Sequence, residues 1–182
     1  MQDSNITFSE LVKKRQSDRK YKAMPVEKEK IMQCLESARL SPSACNSQPW
    51  HFVVVDDAAL VPSMAKHVES VGMNSFAPQV PVWVAVVLEK MNFTASIGSV
   101  IKDKEYSLLD MGIAVNQFCL QAAELGLGTC IIGWFDEKAV KKLLGVGKNK
   151  RIPVLISLGY SDSPIRNKVR KPLEKMSSWN KY

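Results

Sequence analysis

The stretch from residue 42 to residue 50 carries the side chains best suited to binding a ligand. Its sequence, Pro-Ser-Ala-Cys-Asn-Ser-Gln-Pro-Trp, holds hydroxyl and amide groups between two prolines and ends on an aromatic ring. Proline restricts φ and removes a donor, so the segment is stiff and its polar groups are held in place. Such a loop suits a flat heteroaromatic ligand edged with hydrogen-bonding groups, although the same residues could form a capped turn.

Two clusters of basic residues near the ends of the chain could bind an anion. Arg15, Ser17 and Arg19 alternate along the chain, so on an extended backbone two guanidinium groups and a hydroxyl face one side. Lys168 and Arg170 alternate in the same way near the other end. A solvated helix end and a charged tail are the alternative interpretations. The 25 basic residues exceed the 18 acidic ones, and the net charge of +7 favours an anionic partner such as phosphate, a nucleotide or nucleic acid.

The sequence has none of the common motifs for hydrolysis or for nucleotide binding by a glycine-rich loop. It contains no Walker A loop, no G-x-G-x-x-G after a strand and no G-x-S-x-G elbow. No cysteines have C-x-x-C spacing and His51 is best interpreted as structural, so we expect no metal site and no catalytic residue. Chemistry without a protein acid, base or metal indicates a cofactor. Gly133, at the end of an apolar strand, would let a ligand ring approach the backbone, or could simply form a bend.

Length and composition predict one domain over residues 1–182. The chain has no apolar run of about 18 residues and no apparent signal peptide, so we expect neither a membrane span nor secretion. Cys34 and Cys119 fall in helical apolar patterns, which is typical of core thiols and fits a cytoplasmic protein. No zinc-finger spacing or basic stretch interleaved with aromatics supports nucleic-acid binding.

Apolar periodicity predicts alternating helices and strands. The helices are expected near residues 7–14, 27–40, 57–70, 106–125 and 136–145, and the strands near 51–56, 80–88, 129–134 and 152–160. The helix over 106–125, which contains Leu109 and Ile113, is apolar around much of its circumference and is predicted to be the buried centre of the fold. Residues 89–104 are a candidate mobile segment. The polar tail, 161–182, carries spaced apolar anchors such as Trp179 and is expected to pack on another surface, for example a second subunit.

Four stretches, in order along nearly the whole chain, resemble the FMN-dependent nitroreductase family in its shorter bacterial form. They are Arg15-Gln-Ser-Asp-Arg19, the loop Ser41-Pro-Ser-Ala-Cys-Asn-Ser-Gln-Pro-Trp50, the helix from Asp110-Met-Gly112 to the turn ending at Gly128, and Leu158-Gly-Tyr160 with Lys168-Val-Arg170. The resemblance implies an α+β fold with a mainly antiparallel central sheet flanked by helices. It also implies a homodimer that binds FMN between its subunits and a C-terminal tail that extends over the partner.

The resemblance assigns roles to residues at matching positions. It implies that the FMN phosphate and ribityl chain are held by Arg15, Gln16, Ser17, Arg19, Lys168 and Arg170. Pro42, Ser43 and Asn46 would reach the isoalloxazine of the other subunit's flavin. Ile132 and Gly133 would lie beside the ring, with the Gly133 N–H near N5. Larger family members carry a glutamate where this chain has Ile132, so the environment of N5 here would depend on the backbone.

The implied reaction is a two-step transfer of electrons in one site. A reduced nicotinamide, NADH or NADPH, gives a hydride to flavin N5, and a nitro compound, quinone or similar acceptor then takes the electrons, which is a ping-pong sequence. The alternative is a non-catalytic protein that binds flavin or another anion.

Overall fold

A computed structural model of the chain describes residues 6–69, 73–90 and 105–182. The five helices in these ranges are α1 (Phe8–Lys14), α2 (Lys28–Arg39), α3 (Leu60–Val68), α4 (Tyr106–Glu124) and α5 (Glu137–Leu143). The four strands are β1 (Trp50–Val55), β2 (Val82–Leu88), β3 (Gly128–Ile132) and β4 (Arg151–Gly159). Each overlaps an element that the sequence predicts. The candidate mobile segment falls largely on residues 91–104, which lie outside the described residues.

The strands form one antiparallel sheet in the order β1–β2–β4–β3. Strand β2 reads Val-Trp-Val-Ala-Val-Val-Leu and is buried on both faces, because successive side chains of a strand point to opposite sides. Its side chains divide between two cores: Trp83, Ala85 and Val87 pack with α3 and α5, whereas Val82, Val84 and Val86 pack with α2 and α4. The expected α+β architecture, an antiparallel sheet flanked by helices, is confirmed.

Helix α4 is only half covered by its own chain. Met111, Val115 and Phe118 are buried against the sheet and α2. Leu109 and Ile113, on another face, are 62% and 41% exposed. The prediction that this helix is the buried centre of the fold was therefore wrong for that face, because helical periodicity detects an apolar stripe without saying what covers it. Within the described ranges, no helix is long and apolar enough to cross a membrane.

Local side-chain hydrogen bonds lie at or just before the starts of α1 and α3. The Thr7 hydroxyl accepts the Glu10 N–H while the Glu10 carboxylate accepts the Thr7 N–H, which is the capping box predicted for α1. Asp57 accepts the N–H groups of Ala59 and Leu60. This turn delays α3 to Leu60, three residues later than the sequence suggests.

The segment that follows α1 packs along the sheet and brings both ends of the chain together. Ser17 pairs with Thr129 of β3, and Tyr21 pairs with Ser161 just after β4. Gly128 is required at the start of β3, because a Cβ there would lie 2.7 Å from the Asp18 carboxylate. The basic residues of positions 15–19 consequently lie beside the start of the C-terminal tail.

Substituting Tyr21 tests how firmly this segment is attached. The buried Tyr21 hydroxyl donates to the Asp18 carbonyl at 2.9 Å and shares a 2.7 Å hydrogen bond with Ser157. We expect Tyr21→Phe to lower the free energy of unfolding by about 1–2 kcal/mol, measured by urea denaturation. Tyr160→Phe is the matched control, because the Tyr160 hydroxyl is hydrogen-bonded to exposed Glu27 and partly buried Lys30 at the surface, and it should cost about 0.5 kcal/mol. Equal losses in the two variants would contradict this assignment.

Candidate functional site

The two basic clusters meet in one surface cleft. Residues 15–19 run beside β3, and the tail that follows β4 returns alongside them. The space between them is a cleft of about 320 Å³. It is lined by Arg15, Gln16, Ser17, Arg19, Arg166, Asn167, Lys168, Val169 and Arg170. Side chains from opposite ends of the sequence therefore form a single site.

Gln16 joins the two walls of this cleft. Its side-chain amide donates to the carbonyl of Pro164 at 3.0 Å and to Asp18 Oδ1 at 2.9 Å. Its Oε1 accepts the backbone N–H of Arg166 at 3.0 Å. Gln16 is only 8% exposed, so its amide is used within the chain. This geometry supports a role in positioning the walls rather than direct contact with a ligand.

Two basic side chains of the tail reinforce the junction. Arg166 Nη2 donates to the carbonyl of Ser17 at 2.7 Å, and Lys168 Nζ donates to the carbonyl of Arg15. Arg166 was missed by the sequence reasoning. The available signal was the spacing of Arg166, Lys168 and Arg170, which repeats the alternation of residues 15, 17 and 19.

The cleft concentrates positive charge. Among the described residues, those that line it include no carboxylate but five cationic side chains: Arg15, Arg19, Arg166, Lys168 and Arg170. Partial burial, together with the charges of Arg15, Arg170 and Arg166, lowers the pKa of Lys168. The cationic side chains that line one cleft repel one another. An anion with several acceptor oxygens would reduce this repulsion and would therefore be stabilised in the cleft.

Asp18, the acidic residue between Ser17 and Arg19, already accepts hydrogen bonds within the chain. Asp18 is 5% exposed, and its Oδ1 accepts hydrogen bonds from Gln16 at 2.9 Å and from the Ser161 hydroxyl at 2.7 Å. Its backbone N–H donates to the carbonyl of Thr129 at 2.8 Å. Asp18 therefore organises the back of the site without lining the cleft. The donor set that does line the cleft fits a phosphate group.

The polar loop at residues 42–48 has a strained backbone. Cys45, Asn46 and Gln48 have φ values of 50°, 50° and 48°, in the left-handed region that non-glycine residues seldom adopt. Each such residue costs on the order of 1–2 kcal/mol. Local hydrogen bonds oppose this cost: the Gln48 N–H donates to the Ser43 hydroxyl at 2.9 Å, and the Gln48 amide donates to Asn46 Oδ1 at 3.0 Å. Side chains of the loop thus brace its backbone through local hydrogen bonds.

The end of β3 presents backbone rather than side chain. Ile132 is 4% exposed and packs in the core beside α3 and α5, so only its main chain can approach a ligand. Gly133 is exposed, and a Cβ added to it would meet no atom within 4 Å. The next residue, Trp134, is 63% exposed, and its carbonyl accepts a 2.8 Å hydrogen bond from Asn74. The turn after β3 is therefore open at Gly133 but fixed just beyond it.

Not all of the predicted site residues line the same cleft. The structure joins Arg15, Gln16, Ser17, Arg19, Lys168 and Arg170 in it. Pro42, Ser43, Asn46, Ile132 and Gly133 are not among its lining residues. One chain by itself thus provides an anion cleft and, away from it, the polar loop and the open strand end.

The buried thiols near the cleft are poor nucleophiles. Burial raises the pKa of Cys119 to about 11 and also raises that of Cys130, so both remain neutral thiols at physiological pH. Among the residues that the structure describes, no three His, Cys, Asp or Glu side chains are grouped so that they could hold a metal ion.

Comparison with known proteins identifies the family of the chain. The model of the nitroreductase family matches residues 12–160. An oxygen-insensitive NADPH nitroreductase of Helicobacter acinonychis is 30% identical over 179 residues, covering 83% of this chain and 85% of that protein. A putative NAD(P)H nitroreductase of Bacillus subtilis, YdgI, is 25% identical over 94% of this chain and 97% of its own length.

Solved structures give the same result for the fold. An FMN-dependent nitroreductase from Clostridium difficile superposes with a TM-score of 0.76 at 29% identity, covering 94% of this chain and 98% of that chain. A nitroreductase family protein from Streptococcus pneumoniae superposes with a TM-score of 0.81 at 24% identity, covering 94% and 99%. The chain has the nitroreductase fold, it is an NAD(P)H-dependent oxidoreductase, and it belongs to the nitroreductase family.

Proposed function

We propose that this enzyme uses FMN to transfer a hydride from NADH or NADPH to a nitro compound, a quinone or a similar acceptor, in a ping-pong sequence. The observation that carries the proposal is the cleft of five cationic side chains assembled from both ends of the chain. FMN differs from riboflavin by the phosphate that such a cleft would bind. The NADPH nitroreductase from Helicobacter and the FMN-dependent structural relative support the choice of cofactors.

Some residues of the cleft would bind the ligand, and others hold its walls in position. Arg15, Ser17, Arg19 and Arg170 line the cleft and would donate hydrogen bonds to the phosphate and ribityl oxygens. Lys168 adds charge while it holds the carbonyl of Arg15. Binding an anion would relieve the repulsion among these cations, so cofactor uptake should also stabilise the fold.

The open strand end and the polar loop suit a flavin ring. When bound, FMN supplies hydride transfer at N5, which is the chemistry that nicotinamide oxidation and acceptor reduction have in common. The exposed Gly133 can present a backbone N–H to that position. The side chain of Ile132 is buried in the core and anchors the end of β3 beside it. Pro42, Ser43 and Asn46 would contact the ring from a second subunit. These residues orient the ring and exclude water, and none is needed as an acid or base.

The proposed assembly is a homodimer. Apolar side chains that the single chain leaves exposed occur on α1 and α4, where Phe8, Val12, Leu109 and Ile113 are 70%, 42%, 62% and 41% exposed. The tail adds Leu173, Met176 and Trp179, which are 65%, 70% and 94% exposed. Covering such a surface with a second copy would remove much apolar area from water. In the proposed dimer the polar loop of one subunit would lie at the flavin of the other.

Reduction of the bound cofactor tests the function directly. Purified protein loaded with FMN should be yellow, and its visible absorbance should bleach when NADH or NADPH is added without oxygen. A quinone or nitroarene added next should restore the colour. Bleaching in the first step and recovery of colour in the second, with parallel lines in double-reciprocal initial-rate plots, support the proposal. Colour that persists with either nicotinamide indicates a non-catalytic flavin-binding protein, and failure to retain FMN indicates a general anion-binding protein.

Arg19 tests the phosphate cleft. Arg19→Ala removes a donor from the cleft, and one charged hydrogen bond contributes about 1.5–3 kcal/mol, so the dissociation constant for FMN should rise about tenfold or more. Fluorescence titration of the apoprotein measures this. The control is Lys20→Ala, which removes an adjacent positive charge that pairs with Asp162 instead. Equal FMN affinity in Arg19→Ala and wild type would contradict the role of Arg19.

Ile113 tests the proposed dimer. Ile113→Asp places a charge on the exposed face of α4 and should shift sedimentation from dimer to monomer, with loss of FMN affinity because the site needs both subunits. Met32→Asp is the control, because Met32 is 63% exposed on α2 and lies outside the proposed interface. A monomeric wild-type protein, or an Ile113→Asp variant that remains a dimer as stable as wild type, would contradict the proposed interface.

A further inference from the structure

The backbone of the polar loop needs support from outside the loop. Three of its residues, Cys45, Asn46 and Gln48, occupy the left-handed region. The hydrogen bonds from Gln48 to Ser43 and Asn46 close the loop on itself. They define its shape, but bonds within a loop do not determine where that loop sits on the protein.

A buried carboxylate of α4 provides that support. Asp110 Oδ2 accepts the backbone N–H of Ala44 at 3.0 Å, across 66 positions of sequence. Asp110 is only 6% exposed. A carboxylate removed from water to this extent needs a donor, and a charged acceptor makes a stronger hydrogen bond than a neutral one. The bond therefore fixes residue 44, at the start of the loop's short 3₁₀ turn, to the longest helix of the fold.

The position of Asp110 on α4 gives this contact a second consequence. Its neighbour Leu109 lies on the exposed apolar face that we assign to the subunit interface. Asp110 points the other way, into the chain, where it holds Ala44. Because both residues belong to α4, packing of this helix against a partner would also help to set the position of the polar loop.

We propose that Asp110 is a positioning residue for the flavin site, which holds residues 43–46 in place through the N–H of Ala44. The inference rests on the proposed function, because it concerns how the loop is presented to the isoalloxazine ring. Asp110 does not touch the reacting atoms. Its effect is on the geometry of the loop and hence on the environment of the bound ring.

Two variants remove the same hydrogen bond from opposite ends. Asp110→Leu removes the acceptor and keeps a side chain of similar size. Ala44→Pro removes the donor and leaves α4 intact; proline is tolerated at the first position of a helical turn, and Ser43 has the extended conformation, φ −148° and ψ 156°, that proline favours before it. Asp110→Asn keeps an oxygen that can accept from Ala44 and should rescue the contact.

The readouts are the visible circular dichroism of bound FMN, its dissociation constant, and kcat and KM with NADPH and a quinone. We expect Asp110→Leu and Ala44→Pro to change the dichroism in the same way and to weaken FMN binding about tenfold, with Asp110→Asn close to wild type. The double variant Asp110→Leu/Ala44→Pro should be no worse than either single variant, because both act on one bond. Ser37→Ala, which removes a 2.7 Å bond between α2 and α4 from Ser37 to Gln121, should leave the dichroism unchanged.

The outcomes separate this inference from the proposed function. A wild-type protein that binds and reduces FMN, with Ala44→Pro and Asp110→Leu indistinguishable from it in dichroism and affinity, overturns the role of Asp110 alone. Should Asp110→Leu not fold, Ala44→Pro and Asp110→Asn still decide the question. A wild-type protein that takes up no FMN overturns both proposals.

Discussion

The attachment of the C-terminal tail to the segment after α1 is the interaction on which the candidate site depends. The buried amide of Gln16 spans the junction, and Arg166 and Lys168 donate to carbonyls of the facing segment. These contacts crowd five cationic side chains around one cleft. Crowding of like charge opposes folding, and the phosphate of the proposed FMN would neutralise it. The contacts that attach the tail are therefore the same contacts that form the proposed phosphate site.

The same fold leaves a considerable apolar surface uncovered. The central strands β2 and β4 are largely buried, and the single chain has a hydrophobic core on each side of its sheet. Nevertheless α4 keeps Leu109 and Ile113 exposed, and Trp179 of the tail is 94% exposed. Isolated apolar side chains on a surface need no explanation, but an apolar helix face and an extended tail form larger exposed areas. The proposed dimer accounts for both features, and it also supplies the polar loop that the cleft of one chain lacks.

Three of the five non-glycine residues with positive φ in the described ranges belong to the polar loop. Cys45, Asn46 and Gln48 adopt left-handed backbone conformations within four residues. Strained conformations of this kind persist only where the surroundings enforce them. Here the enforcement comes from the loop's own amides and from Asp110 of α4. A loop held in this way can present its side chains to a ligand without reordering when the ligand binds.

The sequence by itself determined the elements, the family and most of the cleft. Capping chemistry and apolar periodicity predicted α1 and the central strands because these signals are local. Alternation of charge also identified Arg15, Arg19, Lys168 and Arg170 as candidate ligands of an anion. Only the tertiary structure decided that both clusters share one cleft, that Gln16 is enclosed between them, and that Ile132 points into the core. It also showed that α4 is covered on one side. All these features depend on contacts between residues distant in sequence. Such contacts are set by how the whole chain packs, which no local sequence pattern records.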